Sequence, residues 1–276
     1  MSTGVGRTSR LGPVRQALSQ LTAELNNQGI TDAERRALRR DAVAAKLELE
    51  QLLELLDPIR QPTSVFDPSD PRLVGRFVSL ALVAQTRHPL STIKTVKFYG
   101  SGVYAIYYTG AFPPYVPISK SETPIYVGRT SPAVKNARTA REQGIKLAQR
   151  LDEHRKNIEK ATTTLAIDDF EYRALVVQSG WESAAEEYLI NLFQPIWNTI
   201  VYGLGKHGDD AETRRNKRSP WDTMHPGRAW AAHESLEDAK SREDIERELD
   251  KHFADNPVFE TLDSVLEGFV AELRQI

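Results

Sequence analysis

The chain has 276 residues, 40% hydrophobic and 27% charged, with 36 basic side chains against 38 acidic ones and no cysteine. This is globular composition, long enough for one well-buried core and an accessory part, and no apolar run is long enough to span a bilayer. The lack of cysteine excludes a disulfide framework, a thiolate zinc cluster and a thiol nucleophile, and a formal net charge of −2 argues against a uniformly cationic nucleic-acid binder while allowing a local basic surface.

In chain order, MSTGVGRTSRLGPVRQ lacks the apolar centre of a secretory signal, so a cytoplasmic protein with no membrane role is expected. Leu18, Leu21 and Leu25 then recur at helical spacing. TDAERRALRRDAVAAKLELEQLLELLD opens on a Thr31/Glu34 capping box and closes at Pro58. Residues 1–57 therefore read as a helical hairpin, charged outside with a leucine stripe: a packing arm, with dimerisation or embrace of DNA as further uses. Residues 58–97 read as a proline-rich linker and a short helix beginning at Pro71, with Leu73, Phe77 and Leu80 inward.

The core is expected over residues 98–230. GVYAIYYT and PIYVG are two tyrosine-rich strands, joined by the proline-laden FPPYVPISKSET and read as an antiparallel pair. NARTAREQGIKLAQRLDEHRKNIEKA is helical around Gly144, and IDDFEYRALVVQ is a third strand, polar first and buried later. WESAAEEYLINLFQ is an amphipathic helix stopped by Pro195, followed by PIWNTIVYGLG and a glycine-rich turn. Residues 231–276 form a C-terminal helical extension split near Asn256–Pro257. Helices, then a small sheet with flanking helices, then helices is an α+β order.

Charge is unevenly placed. Arg129–Lys160 is mostly basic, KHGDDAETRRNKRSPW is a second basic run, and acids gather toward the C-terminus. Such segregation suggests one face that meets phosphates. A phosphodiester hydrolase needs a base for water, a cation for the developing charge and help for the leaving oxygen, part of which a divalent metal usually supplies. Candidates occur in the order Tyr104, Tyr126, Arg129, Arg150, His154, Glu186 and Asn198. Arg150 and His154 are four apart and share a helix face. Glu186 is a lone carboxylate of the kind Mg²⁺ accepts. Taken singly, each has a plainer reading: strand tyrosines in a core, a solvated helix face, a surface ion pair, a turn cap.

The order changes that weighing. GVY at Gly102–Tyr104 and YVG at Tyr126–Gly128 resemble the paired signature of the GIY-YIG nuclease superfamily, with valine for both central isoleucines. Arg129 follows the second motif, RLDEH carries Arg150 and His154, and EEYLINLFQPIWN carries Glu186 and Asn198. The flanks VYAIYYTGAFPPYVPI, DFEYRALVV, PIWNTIVYGLGKHG and SPWDTMHPGRAW resemble the type II restriction endonucleases of this superfamily, which cut GC-rich palindromes of the CCGCGG type.

The resemblance implies a small antiparallel sheet and hydrolysis of double-stranded DNA, with one Mg²⁺, or Mn²⁺ as a substitute, held by Glu186. It implies Tyr104 as general base assisted by His154, Arg150 and Arg129 on the scissile phosphate, Tyr126 positioning water or phosphate, and Asn198 in support. Whether Tyr104 or His154 accepts the proton stays open. His207, Arg214, Arg215, Lys217, Arg218, His225 and Arg228 are candidates for DNA contact, because arginine pairs bidentately with guanine. One active site per chain cuts one strand, so a homodimer, or a tetramer, is expected, with a companion DNA methyltransferase by analogy. A repair or mobile-element nuclease on the same domain, and an inactive DNA-binding module, are the alternatives.

Overall fold

A computed structural model describes residues 10–26, 30–59, 67, 70–178, 180–205 and 217–273. The chain divides into two units, Met1–Val65 and Phe66–Ile276. In the first, α1 (Gly12–Asn26) is followed by α2 (Asp32–Leu56). The capping box forms as expected: Thr31 Oγ1 accepts from the Glu34 N–H at 3.3 Å, and the Glu34 carboxylate accepts from the Thr31 N–H at 2.8 Å. α2 buries none of its residues.

The second unit begins with α3 (Pro71–Val83), capped by the Asp70 side chain. β1 (His88–Pro89), β2 (Gly102–Tyr108), β3 (Tyr126–Thr130) and β4 (Phe170–Val176) form one antiparallel sheet in the order β1-β4-β2-β3. β2 is central, with Tyr104 opposite Gly128 on β3 and Ala174 on β4. All of its residues are buried, because the sheet is covered on both faces. Tyr104, Ile106 and Tyr108 face a core built from α5 (Lys146–Lys160), α7 (Ile196–Thr199), α8 (Pro220–Met224) and α9 (Arg242–Asp255). Val103, Ala105 and Tyr107 face α3, α6 (Glu182–Phe193) and α10 (Leu262–Leu273). A short helix α4 (Ala140–Gln143) precedes α5 across Gly144, whose φ is 74°. A parallel pair, β5 (Lys217–Arg218) and β6 (Glu237–Asp238), lies beside α8 in the chain. The fold class is α+β, and α3, α9 and α10 belong to the same unit as the sheet.

Two expectations fail. Phe77 does not point inward; it is 65% exposed. The buried face of α3 runs through Gly75, Ser79 and Leu82, and Ser79 reaches the Ala185 carbonyl of α6 at 3.4 Å, so Phe77 falls on the far side of the helix. The polarity of β4 is also reversed: it is buried at Phe170, Tyr172 and Arg173 and opens to solvent at Val176. Arg173 tolerates burial because it donates to Glu122 at 2.6 Å and to the Tyr107 hydroxyl at 3.0 Å.

Candidate active site

The strand register decides which side chains meet. Tyr104 stands opposite Gly128, and Ile106 opposite Tyr126. Alternation therefore puts Tyr104, Tyr126 and Gly128 on one face and Val127 and Arg129 on the other. The Tyr104 ring lies across β3 in the space that Gly128 leaves; a Cβ there would come within 2.4 Å of Tyr104 Oη. This is the physical use of the glycine that ends YVG.

On the tyrosine face, α5 contributes Arg150 and His154. Tyr104 Oη and His154 Nε2 are 2.7 Å apart, and both residues are buried. The Tyr126 ring stands 5.0 Å from the His154 ring and 6.1 Å from that of Tyr104. Burial, with the Tyr126 phenol second, pushes the Tyr104 hydroxyl well above the ordinary tyrosine value, while the Arg150 guanidinium pulls the other way. Tyr126 is raised for the same first reason and is opposed by the same arginine. Arg150 donates to Glu153 at 2.7 Å and passes close over Gly205, where a Cβ would meet its Nη2 at 2.4 Å.

On the other face, Arg129 Nε donates to Glu186 Oε2 at 2.7 Å. Burial raises the Glu186 carboxyl above the ordinary range, and Arg129 offsets part of that rise. The two halves meet around β3, which is the sheet edge: the Glu186 charge acts on the Tyr126 phenol from across the strand. Asn198 secures that edge. Its Oδ1 accepts from the Val127 N–H at 2.9 Å and its Nδ2 donates to the Val127 carbonyl at 2.8 Å, as a neighbouring strand would. The structure thus brings together Tyr104, Tyr126, Arg150 and His154 on one side of β3 and Arg129 with Glu186 on the other, with Asn198 bonded to the strand between them.

The expected DNA-contact residues divide differently. His207, Arg214 and Arg215 lie outside the described residues. Lys217 is exposed. Arg218 is occupied with the Ala231 carbonyl at 2.7 Å and Asp238 at 3.3 Å. His225 and Arg228 do not have the access that reading bases requires. His225 is fully buried between the Tyr115 hydroxyl at 2.6 Å and the Thr164 hydroxyl at 2.9 Å, and burial depresses its pKa to about 3. Arg228, 2% exposed, donates to both Asp222 carboxylate oxygens at 2.6 Å. It also donates to the carbonyls of Gly203 at 3.0 Å and Leu204 at 3.3 Å. A buried guanidinium paired in this way braces the loop that closes over Arg150 rather than meeting DNA.

Sequence reasoning passed over Gly205, Glu153 and Asp222. Glu153 was visible as an i, i+3 partner of Arg150. Asp222 was visible in Ser219-x-x-Asp222, a capping signal that forms here, with Ser219 accepting from the Asp222 N–H at 3.3 Å. Gly205 left no pattern at all.

A small antiparallel sheet with paired tyrosines on neighbouring strands, an arginine and a histidine on one covering helix and a carboxylate on another defines a nuclease of the GIY-YIG class. Residues 96–253 match the family described as the Eco29kI GIY-YIG domain. That match covers more than half of the chain, and the chain belongs to this family of restriction-type nucleases, which act on DNA. No curated protein matches the chain. Among the described residues, no helix is long and apolar enough to cross a membrane.

Proposed function

We propose that this chain is a cytoplasmic, Mg²⁺-dependent type II restriction endonuclease that cuts double-stranded DNA at a short GC-rich palindrome, with two copies acting across the two-fold axis of the duplex. The observation that carries the reading is the 2.7 Å approach of Tyr104 Oη to His154 Nε2 beside Arg150 and Tyr126. Burial disfavours a phenolate, so a proton that Tyr104 takes from water needs a second acceptor in contact with it. The neutral imidazole of His154 is that acceptor: Tyr104 receives the water proton as its own phenolic proton passes to Nε2. The water oxygen bonds to phosphorus, and the P–O3′ bond breaks with its electron pair on the leaving oxygen, which takes a proton from solvent. Arg150 holds the scissile phosphate and opposes its growing charge. Tyr126 orients the water, and Arg129 leaves Glu186 to join the phosphate.

Glu186 fits Mg²⁺ by the chemistry of its donors. It is one hard carboxylate at a half-exposed edge where waters and phosphate oxygens have room, and Mg²⁺ keeps several waters and takes few protein ligands. Among the described residues, no group of three or more His, Cys, Asp or Glu gathers into a denser metal nest. When bound, the ion stabilises charge on the phosphate and on the departing oxygen. Base reading falls to the basic run that includes His207, Arg214, Arg215 and Lys217, and a methyltransferase that modifies the same site completes the system.

The test is incubation of purified protein with phage DNA of known sequence, with Mg²⁺, Mn²⁺ or chelator. Discrete fragments ending at one GC-rich palindrome, lost with chelator, are expected. Scattered nicks without sequence preference would refute the site-specific reading, and cleavage unchanged by chelator would refute the metal.

A further inference from the structure

Helix α2 buries none of its side chains, yet its sequence repeats like the core of a coiled coil. Leu38, Ala42, Ala45, Leu49, Leu52 and Leu56 follow one another in alternating steps of four and three. This is the a/d spacing that lets two helices supercoil. The second half of the seam is open: Leu49, Leu52 and Leu56 are 38%, 40% and 66% exposed. α1 does not cover it, since Val14 and Leu18 are themselves 46% and 55% exposed.

We propose that α2 pairs with α2 of a second copy of this chain, parallel and in register. The charges choose both the partner and the direction. With Leu38, Ala45 and Leu52 at d, the g positions hold Glu34, Asp41 and Glu48, and the e positions hold Arg39 and Lys46. In a parallel pair each g faces the next e of the other helix, so Glu34 meets the partner's Arg39 and Asp41 meets the partner's Lys46. Antiparallel pairing would set acid against acid and base against base. The acidic row also makes the seam a poor surface for phosphates. Ala42 and Ala45 let the helices approach closely, and Leu53 and Leu55 at e and g widen the apolar contact toward the C-terminal end. The inference stands on α2 alone, so it does not depend on the nuclease reading, although it supplies a contact that two cooperating copies would use.

Sedimentation of the full chain at micromolar concentration tests it directly. A dimer is expected, and Leu49→Glu with Leu52→Glu should weaken it by at least about 100-fold. Circular dichroism and melting of the second unit should be unchanged, because neither leucine is buried. Lys46→Asp and Asp41→Lys chains should each associate more weakly alone and recover when mixed. Direction is read in the cysteine-free chain by introducing Ala42→Cys or Leu56→Cys separately. Both form a disulfide to the same position of the second copy if the helices are parallel, whereas an antiparallel pair allows this only at its centre. A monomeric chain, a dimer indifferent to the Leu49/Leu52 change, or cross-linking at one position alone would each overturn the proposal.

Discussion

Replacing Gly128 by alanine should stop cleavage while leaving DNA binding and most of the fold in place. The backbone at this position is ordinary extended strand, so alanine causes no conformational strain of its own. What it does is put a methyl group where the Tyr104 ring passes: 2.4 Å from Oη, 2.6 Å from Cζ and 3.0 Å from Cε1. Ordinary contact begins near 3.4 Å, so the phenol has to retreat by about 1 Å. That breaks the 2.7 Å approach to His154. A displacement of about 1 Å at a reacting group costs on the order of 100-fold in rate. The overpacking itself costs about 1–3 kcal/mol of stability. Single-turnover cleavage of plasmid DNA at saturating enzyme reads the rate, fluorescence anisotropy with Ca²⁺ in place of Mg²⁺ reads DNA affinity, and thermal melting reports the fold. The effect should also be non-additive: Gly128→Ala in a Tyr104→Phe chain should add little to the loss already present. A folded Gly128→Ala protein that cleaves at the parent rate would refute the role given to the Tyr104–His154 contact.

Asn198→Ala should destabilise the chain by about 2–4 kcal/mol in denaturant titration, because it strips partners from both the N–H and the carbonyl of Val127 on an edge strand. Arg228→Met should cost about 3–5 kcal/mol by leaving Asp222 buried and unpaired. Cleavage-site mapping on that variant should show unchanged specificity, whereas a shifted recognition sequence would restore Arg228 as a base reader. Cleavage should fall with decreasing pH through a midpoint above the usual carboxylate range, since burial raises Glu186 and its protonated form cannot hold the metal. A pH–rate series at fixed Mg²⁺ checks this, and a midpoint at the free-glutamate value of about 4.3 would contradict it. His225 adds a pH-dependent stability term: its folded pKa is depressed to about 3, so its contribution is complete above the unfolded value of about 6.5 and is lost as pH falls toward 3. His225→Phe should remove up to about 1.4 kcal/mol per pH unit of that slope in melts over this range.

Much of the fold was legible before any coordinates. The capping box of α2, the proline at the start of α3, the antiparallel β2–β3 pair, the break at Gly144 and the stop before Pro195 are local signals, and local backbone chemistry answers them locally. Phe77 shows where this ends. A helical pattern names an apolar stripe, but α3 is packed through Gly75 and Ser79, whose small size lets α6 approach, and hydrophobicity alone does not reveal that face. Arg173 on β4 shows the same limit, because a charged residue reads as exposed until its partner, Glu122, is known to lie next to it.

The chain order of Tyr104, Tyr126, Arg129, Arg150, His154, Glu186 and Asn198 was determined by the sequence, and so were the residue types a phosphodiester hydrolase requires. Period-two alternation in the two strands and the four-residue step from Arg150 to His154 then followed from backbone geometry. Only the tertiary structure decided that β3 is an edge, that Gly128 makes room for the Tyr104 ring, and that Asn198 stands in for a missing strand. Only it could separate surface cations from Arg228 and His225, since a charge or a ring looks the same in a sequence whether it faces water or a buried partner. Burial and pairing are sums over residues far apart in the chain, and folding is what makes them neighbours.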